Sequence, residues 1–194
     1  MAKDQIMEGV VVRKTAFSDA DLVLGVFTQE EGKISVFAPS AKKSQKRFGP
    51  YLDLFAQVQL CVSDSGRSML RLKETQLINA HTHIRNKLHV VAFMNYYVEC
   101  MWNLLAEHDP HPDIYQHLLD VLEGLQRPDI QVGDLYVYEY RLLEMSGHNP
   151  EFVYCAGCKK PTQGRKFFAF GKGSVVCTTC RTPDQGMMIS GQAL

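Results

Sequence analysis

The chain has 194 residues, 45% of them hydrophobic and 22% charged, and its 21 basic and 21 acidic residues give a formal net charge of zero. These values are ordinary for a soluble globular protein of one or two domains, and zero net charge by itself suggests no polyanionic partner. Polar residues interrupt even the most hydrophobic stretch (88–105), so we expect no membrane span.

The charges are unevenly distributed along the chain. Residues 1–79 contain 11 Lys and Arg against 9 Asp and Glu, residues 80–150 contain 4 against 10, and residues 151–194 contain 6 against 2. All seven histidines lie in the middle segment. Two basic ends therefore flank an acidic middle, and these blocks coincide with a change in hydrophobic period.

Five strands are predicted in the first 79 residues, where short runs of alternating apolar residues are separated by turn-forming residues. The predicted strands span residues 6–15, 20–28, 33–38, 52–62 and 67–78. Alternation is clearest in the last two, where Ala56, Val58, Leu60 and Val62 share one face and where Leu70 and Leu72 oppose Arg71 and Lys73. Five antiparallel strands in about 75 residues predict a small closed barrel of the OB type, whose exposed strand face and loops commonly bind single-stranded nucleic acid.

Three helices are predicted after residue 80, so the fold class is α+β, with domains at 1–79 and 80–194. The first is long, ends at the turn formed by residues 109–112, and has an apolar stripe of Ile84, Leu88, Val91, Val98, Met101 and Leu105. The second begins at Pro112 and Asp113 and buries Ile114, Leu118, Val121, Leu122 and Leu125. The third runs from Asp134, a predicted N-cap, to Gly147, a predicted C-cap.

Two C-x2-C pairs near the end of the chain predict a structural zinc site. Cys155 and Cys158 are separated by eighteen residues from Cys177 and Cys180, which is the spacing of a closed four-thiolate site with Zn–S distances of about 2.3 Å. Residues 166–170, 171–173 and 174–176 are predicted as strand, turn and strand, so a hairpin within about 151–184 brings the pairs together. Lys159 and Arg181 are placed to favour the charge of the thiolates.

Two disulfides or four unconnected thiols are the alternatives to a metal site. The first six residues contain no apolar run, so we expect no secretory signal and a reducing, cytoplasmic compartment, which disfavours disulfides. A closed site has no open position for substrate, and the chain contains no phosphate loop, nucleophile elbow or H-E-x-x-H motif. We therefore expect a protein that is not an enzyme.

The loop after the third predicted strand is the strongest nucleic-acid signal. Lys42, Lys43, Lys46 and Arg47 place four positive charges within six residues, a pattern suited to salt-sensitive phosphate contacts, although an ordinary solvated loop is the alternative. Neighbouring strands add further candidates to the predicted DNA-binding set, namely Arg13, Lys14, Lys33, Phe37, Arg71 and Lys73. Basic and aromatic groups on one barrel face would contact backbone and stack on bases without reading sequence. Alternation alone leaves open whether Phe37 belongs to the core.

Other residues give weaker signals. The histidines, among them His81, His83 and His117, invite a second metal site, but surface histidines in an acidic helical domain are the simpler interpretation. Cys61 and Cys100 have no paired thiol nearby in the sequence and are interpreted as buried small apolar residues.

In combination, these features resemble the RecO family of bacterial recombinational DNA repair proteins. The resemblance covers nearly the whole chain in order. It rests on Gly9-Val10, on residues 27–33 (FTQEEGK), on Arg47-Phe48-Gly49, on Leu52 with Phe55, on residues 96–99 (YYVE) with Leu104-Leu105, and on residues 138–143 (YEYRLL) to Gly147 before Cys155.

The resemblance implies a DNA repair and recombination mediator with an N-terminal OB fold and a helical domain that carries the zinc site. Such a protein binds single- and double-stranded DNA, anneals complementary strands, and engages the acidic C-terminal tail of the single-stranded-DNA-binding protein. It acts with RecR to help load RecA on gaps, with RecF as a possible indirect partner, and it lies in the cytoplasm with the nucleoid.

Three departures from the family pattern limit what carries over. Pro39-Ser40 stands where the family often has Lys-Gly, and Tyr136 and Val137 stand where some relatives carry arginines proposed to receive the acidic tail. The resemblance therefore implies neither that phosphate contact nor that pocket for this chain. Relatives usually continue through further helices, so we expect a shortened chain or a lineage with a smaller domain. A protein-interaction adaptor with little DNA affinity is the second functional hypothesis, and a metal-dependent nucleic-acid enzyme is the third.

Overall fold

The N-terminal strands close into a barrel. The computed structural model describes residues 3–44, 48–64, 66, 69–127, 129–162, 166–182 and 186–189. The barrel strands are β1 (Lys3–Ala16), β2 (Leu22–Thr28), β3 (Gly32–Ala38), β4 (Gln57–Asp64) and β5 (Leu70–Asn79). Their order around the barrel is β1-β2-β3-β5-β4, with β4 pairing back onto β1. The predicted five-stranded OB-type barrel is therefore confirmed.

Two details of the predicted barrel are wrong. The β3–β5 pair is parallel, whereas antiparallel pairing was expected throughout. The fourth strand begins at Gln57 rather than Leu52, because Leu52 ends a 3₁₀ turn (Gly49–Leu52) and Phe55 has a positive φ of 69°. Phe48 and Leu52 still reach the barrel core from this irregular segment, which is why their apolar pattern resembled a strand.

The alternation predicted in the last two strands is confirmed by burial. Ala56, Val58, Leu60 and Val62 are fully buried, and Leu72 is 1% exposed, whereas Arg71 and Lys73 lie on the outside. These residues join the inward side chains of the other strands in one apolar cluster that fills the barrel.

Three α-helices follow the barrel: α1 (Leu88–Leu104), α2 (Pro112–Gly124) and α3 (Val132–Met145). The predicted buried face of α2 is confirmed, with Pro112 in its first turn. The predicted stripe of α1 is right in part: Val98, Met101 and Leu105 are buried, but Leu88 is 85% exposed and Val91 is only half-buried, and Val90, Met94 and Tyr97 complete the buried face. Ile84 lies in a separate 3₁₀ turn (Thr82–Asn86), and extended Lys87 interrupts the helical phase between them.

The predicted ends of α3 are partly right. The helix begins at Val132, and the carboxylate of Asp134 accepts a hydrogen bond from the Gln131 N–H at 2.8 Å instead of serving as N-cap. At the other end, Gly147 has a φ of 76°, and the His148 N–H donates to the Leu143 carbonyl at 2.7 Å. This is the Schellman arrangement that a C-cap glycine allows.

The C-terminal strands form a separate small sheet. Its strands are β6 (Lys166–Ala169), β7 (Ser174–Val176) and β8 (Gly186–Ile189), in the order β7-β6-β8. The predicted hairpin is confirmed as β6 and β7, and β8 was not predicted. We refer to residues 151–189 as the four-cysteine region.

The chain divides into two compact units, Met1–Tyr138 and Glu139–Leu194. This division reflects which residues pack together. The boundary predicted after residue 79 instead marks the change from strands to helices, and it stays a prediction. Among the described residues, no helix is both long and apolar enough to span a membrane.

Candidate metal centre and nucleic-acid interface

The two cysteine pairs converge on one point. The sulfur atoms of Cys155, Cys158, Cys177 and Cys180 all lie within 4.8 Å of one another, and Cys158 Sγ is 3.8 Å from Cys177 Sγ. A tetrahedron with Zn–S bonds of about 2.3 Å has edges of about 3.8 Å, so this separation fits a four-thiolate ion. The six cysteines of the chain are all free of disulfides.

Backbone geometry explains how the first pair wraps around this point. The Lys159 N–H donates to the Cys155 carbonyl at 2.8 Å, and Lys159 has a φ of 60°, which tightens the turn. A Cβ on Gly157 would approach the Cβ and Sγ of Cys180 at 3.0 Å, closer than ordinary packing allows. The glycine between the first two cysteines therefore leaves space for the second pair.

The electrostatics of the four thiols call for a cation. Hydrogen bonds from the backbone N–H groups of Cys158 and Cys177 lower the pKa of Cys155 to about 6. The neighbouring Cys177 side chain and burial raise the pKa of Cys180 to about 12. A cluster with one stabilised thiolate and one thiol that resists ionisation needs a positive ion before all four can be thiolates. The donor set therefore fits a soft divalent metal with a closed shell of ligands.

The two cations predicted beside the thiolates have other contacts. Arg181 packs its guanidinium over the ring of Phe167, 4.8 Å from the centroid. Lys159 is exposed, and its charge contributes to holding the pKa of Glu151 low, after the hydrogen bonds that Glu151 accepts from the Val153 and Tyr154 N–H groups. Support for the thiolates comes instead from backbone donors, among them the Cys177 N–H to Cys155 Sγ at 3.3 Å.

Phe37 and Arg71 meet on the outer face of the barrel. They are register partners in the parallel β3–β5 pair, and the Arg71 guanidinium lies 5.9 Å from the centroid of the Phe37 ring. Phe37 is half-buried, between the fully buried Val36 and Ala38. Phe37 therefore points away from the core, which resolves the alternative that alternation left open.

Phe17 completes this group and was missed in the sequence. Its ring is 63% exposed and packs edge-on against Phe37 with centroids 5.5 Å apart. We call Phe17, Phe37 and Arg71 the aromatic platform. Phe17 lies in the turn between β1 and β2, where no periodicity marks it. The signal available in the sequence was an aromatic residue directly before the turn-forming residues Ser18-Asp19.

We call the predicted loop that contains Lys42, Lys43, Lys46 and Arg47 the basic loop. It adjoins the aromatic platform through Lys42. The Lys42 ammonium donates to the Ser18 carbonyl at 2.6 Å, and the Lys42 N–H donates to the Ala20 carbonyl at 3.0 Å. Lys42 and Lys43 are exposed. An ammonium has three donors, so Lys42 keeps capacity for a further acceptor. Lys46 and Arg47, the other two predicted loop cations, lie outside the described residues.

Lys33 has a different environment from the one expected of a DNA contact. It is 9% exposed, and its ammonium donates to the carbonyls of Trp102 and Leu105 at 2.7 Å each, at the C-terminus of α1. A cation there also interacts favourably with the helix dipole. Because Lys33 stabilises this helix end, we leave it out of the proposed DNA surface.

The remaining predicted DNA-binding residues of the barrel are Arg13, Lys14 and Lys73. The Arg13 guanidinium packs over the Trp102 ring at 4.8 Å from the centroid. Lys14 forms an ion pair with Asp53 at 3.3 Å, and Lys73 pairs with Asp4 at 2.6 Å. Exposed ion pairs of this kind contribute little to stability, so both lysines stay available to exchange a carboxylate for a phosphate.

Two interpretations of the weaker signals need correction. His81 and His117 are buried, at 3% and 5% exposure, and are not surface residues; His117 Nε2 lies 3.0 Å from the Tyr138 carbonyl oxygen. Cys61 and Cys100 are half-buried rather than buried.

Comparison with known proteins gives the same family for both halves of the chain. The family model described as "Recombination protein O N terminal" matches residues 1–81, and the model described as "Recombination protein O C terminal" matches residues 85–190. A relative named DNA repair protein RecO from Dehalococcoides mccartyi is 31% identical over 186 residues, covering 95% of this chain and 73% of the relative. Relatives of the same name from Anaeromyxobacter sp. strain Fw109-5 and Syntrophotalea carbinolica are 32% and 31% identical, each over 90% of this chain and 69% of the relative.

Proposed function

The chain belongs to the RecO family of DNA repair proteins, and from that membership we propose that it is a repair and recombination mediator whose barrel binds DNA. The mediator binds single- and double-stranded DNA, anneals complementary strands, and helps load RecA on gaps together with RecR. It engages the acidic tail of the single-stranded-DNA-binding protein, and it acts without catalysing a reaction, on the bacterial nucleoid in the cytoplasm.

The observation that carries the barrel proposal is the aromatic platform next to the basic loop. Two aromatic rings in edge-to-face contact, one of them 63% exposed, lie beside the Arg71 guanidinium. Aromatic rings stack on any base, and cations neutralise any phosphate, so such a surface binds single strands with little sequence preference. Strand annealing requires this property, since the protein must accept whichever sequence is exposed at a gap.

The four-cysteine region contributes architecture to this function. A structural zinc ion held by Cys155, Cys158, Cys177 and Cys180 would supply folding energy and no reaction chemistry, since four thiolates leave no open ligand position. The residues of the chain then orient the small sheet around the ion through the backbone hydrogen bonds of the two turns.

The test is the salt dependence of oligonucleotide binding. In the variant that replaces Lys42, Lys43, Lys46 and Arg47 by Gln, single-strand affinity should fall for all sequences alike. The slope of log affinity against log salt should flatten by about 0.7 for each phosphate contact that is lost.

The matched control replaces two exposed cations outside the proposed surface, Lys87 and Arg141, by Gln. These changes should leave the slope within experimental error of the wild type. Equal slopes for the loop variant and the wild type would mean that the loop is an ordinary solvated surface. Absence of any DNA binding by the wild-type protein near physiological salt would overturn the function itself.

A protein-interaction adaptor is the second candidate, and α3 favours it. Val132, Tyr136, Val137 and Tyr140 on this helix are 63%, 66%, 50% and 40% exposed, a concentration of large apolar side chains that is typical of docking surfaces. Tight binding of the partner proteins together with no affinity for DNA would favour the adaptor over the mediator.

A further inference from the structure

The sheet of the four-cysteine region has two different faces. Phe167, Ala169 and Val176 pack on one face with Cys155 in a small buried cluster. On the other face of β6, Phe168 lies between two further rings. Phe152 stacks against it at 5.7 Å between centroids with an interplanar angle of 26°, and Phe170 packs edge-on at 6.2 Å. We call Phe152, Phe168 and Phe170 the aromatic row.

The aromatic row becomes more exposed toward its end. Phe152 and Phe168 are half-buried, whereas Phe170 is 62% exposed, and Met187, the register partner of Phe168 on β8, is 53% exposed. This region buries few apolar side chains of its own, so leaving a phenylalanine ring and a methionine in water is costly to it. Exposed apolar groups of this kind indicate a binding surface.

Cations lie next to the row. The Lys166 ammonium, on the same side of β6 as Phe168, donates to the Phe152 carbonyl at 2.7 Å, which uses one of its three donors. Lys172 is exposed in the 3₁₀ turn that carries Phe170. Residues 151–194 contain six basic residues and only two acidic ones. The carboxylate of one of the acidic residues, Glu151, already accepts hydrogen bonds from the Val153 and Tyr154 N–H groups.

The chemistry that fits this combination is a polyanion with flat apolar rings. An acidic peptide would supply charge, but planar rings only where it contains aromatic residues, and a neutral or basic protein surface would gain nothing from the excess of basic residues. Single-stranded nucleic acid supplies both, with phosphates for the ammonium groups and bases for the rings.

We propose that the aromatic row is a second binding surface for single-stranded DNA, separate from the aromatic platform of the barrel. The inference rests on the proposed function and adds a mechanism to it. Each of the two compact units would hold its own stretch of strand. A protein that binds two strands through two surfaces can bring complementary sequences together without any catalytic group.

The first experiment is photo-crosslinking of the wild-type full chain to a single-stranded oligonucleotide containing 5-iododeoxyuridine, which couples to an aromatic ring stacked on it. Trypsin separates the two surfaces cleanly, since Phe37 lies in the peptide Ile34–Lys42 and the rings of Phe168 and Phe170 lie in the peptide Phe167–Lys172. Crosslinks in both peptides are the expected result.

Each other outcome separates this inference from the proposed barrel function. Crosslinks in Ile34–Lys42 alone would overturn the second surface and leave the barrel proposal standing. Crosslinks in Phe167–Lys172 alone would support the second surface and contradict the barrel. Crosslinks in neither peptide, with no binding near physiological salt, would overturn both.

The second experiment tests the ring of Phe170 itself. In Phe170→Leu, which keeps an apolar side chain but removes the ring, the rate of annealing of two complementary oligonucleotides should fall about fivefold or more, and Phe170→Trp should restore it. The control is Tyr96→Leu, which removes an exposed aromatic ring from α1, outside both proposed surfaces, and should anneal at the wild-type rate.

Bound metal should be equal in all these variants, since Phe170 lies outside the thiolate cluster. An annealing rate in Phe170→Leu equal to that of the wild type would overturn the inference. A loss in Phe170→Leu that Phe170→Trp fails to restore would do the same, because it would indicate a packing role rather than base stacking.

Discussion

Among the described residues, fifteen form the buried apolar cluster of the barrel, whereas the buried cluster of the four-cysteine region has four members, one of which is Cys155. Fifteen buried residues are enough to hold the barrel closed, because burial of each large apolar side chain contributes about 1.5–3 kcal/mol to the free energy of folding. The second cluster is small for a three-stranded sheet, so we expect a metal bound by the four cysteines to supply the difference. On this proposal the two regions depend on different forces, although each presents rings and cations on its surface.

Metal removal should have the largest effect and should separate the two regions. Chelation, or Cys155→Ser, removes binding energy that in small zinc domains amounts to about 10–16 kcal/mol, so residues 151–189 should unfold while the barrel stays closed. Metal content by mass spectrometry and limited proteolysis measure this. Cys61→Ser, outside the cluster, should change neither. A folded four-cysteine region without metal would contradict the comparison.

Lys33→Met should have the next largest effect and tests whether burial alone stabilises the first unit. The substitution keeps the apolar stem but leaves the carbonyls of Trp102 and Leu105 without their charged donor. The free energy of unfolding in urea should fall by about 2–3 kcal/mol. Lys43→Met, an exposed lysine in the same unit, should change it by less than about 0.5 kcal/mol.

If Lys33→Met and the wild type have the same midpoint of urea unfolding, the contact at the end of α1 contributes no stability. Lys33 would then return to the set of DNA-binding candidates.

Acid should weaken the first unit through His81. Neither ring nitrogen of His81 has a hydrogen-bond partner among the described residues, and burial, with a smaller contribution from His83, lowers its pKa from 6.5 to about 4. The unfolded chain therefore binds more protons between pH 6.5 and 4, so stability is complete above about pH 6.5 and is lost as the pH falls toward 4. The loss between pH 7 and pH 5 should be about 2 kcal/mol.

The measurement is urea unfolding at both pH values for the wild type and for His81→Asn, which accepts the left-handed backbone at this position and does not titrate. The variant should lose less stability than the wild type over this range. Equal losses would mean that His81 is protonated in the folded protein.

Phe37→Ala should have the smallest effect and tests the surface of the barrel rather than its core. Base stacking on an aromatic ring contributes about 1–3 kcal/mol, so single-strand affinity should fall about fivefold or more. Because Phe37 is only half-buried and points outward, stability should fall by no more than about 1 kcal/mol. Fluorescence anisotropy and urea unfolding measure the two. A large loss of stability with unchanged affinity would assign Phe37 a packing role.

The cysteine spacing was the most reliable signal in the sequence, because the four-thiolate site that it predicts requires the four cysteines to meet, and their sulfur atoms do lie together. The alternation of residues 56–62 and the buried face of α2 were also predictable, since each period is uninterrupted over its whole element. The stripe of α1 was predictable only in its second half, because Lys87 breaks the phase between Ile84 and the helix and leaves Leu88 exposed. The strand β8 is four residues long and lies far from its partner in the sequence, so no local pattern marks it.

The sequence by itself determined the closed barrel, the helical segments and the four cysteines that converge, since these follow from local period and spacing. Only the tertiary structure decided what the polar and aromatic side chains do. Parallel pairing of β3 with β5 places Arg71 beside Phe37, and the end of α1 provides the Lys33 ammonium with two carbonyl acceptors. The physical reason is that periodicity records which face a residue lies on, while partners distant in the chain are fixed only when the elements pack.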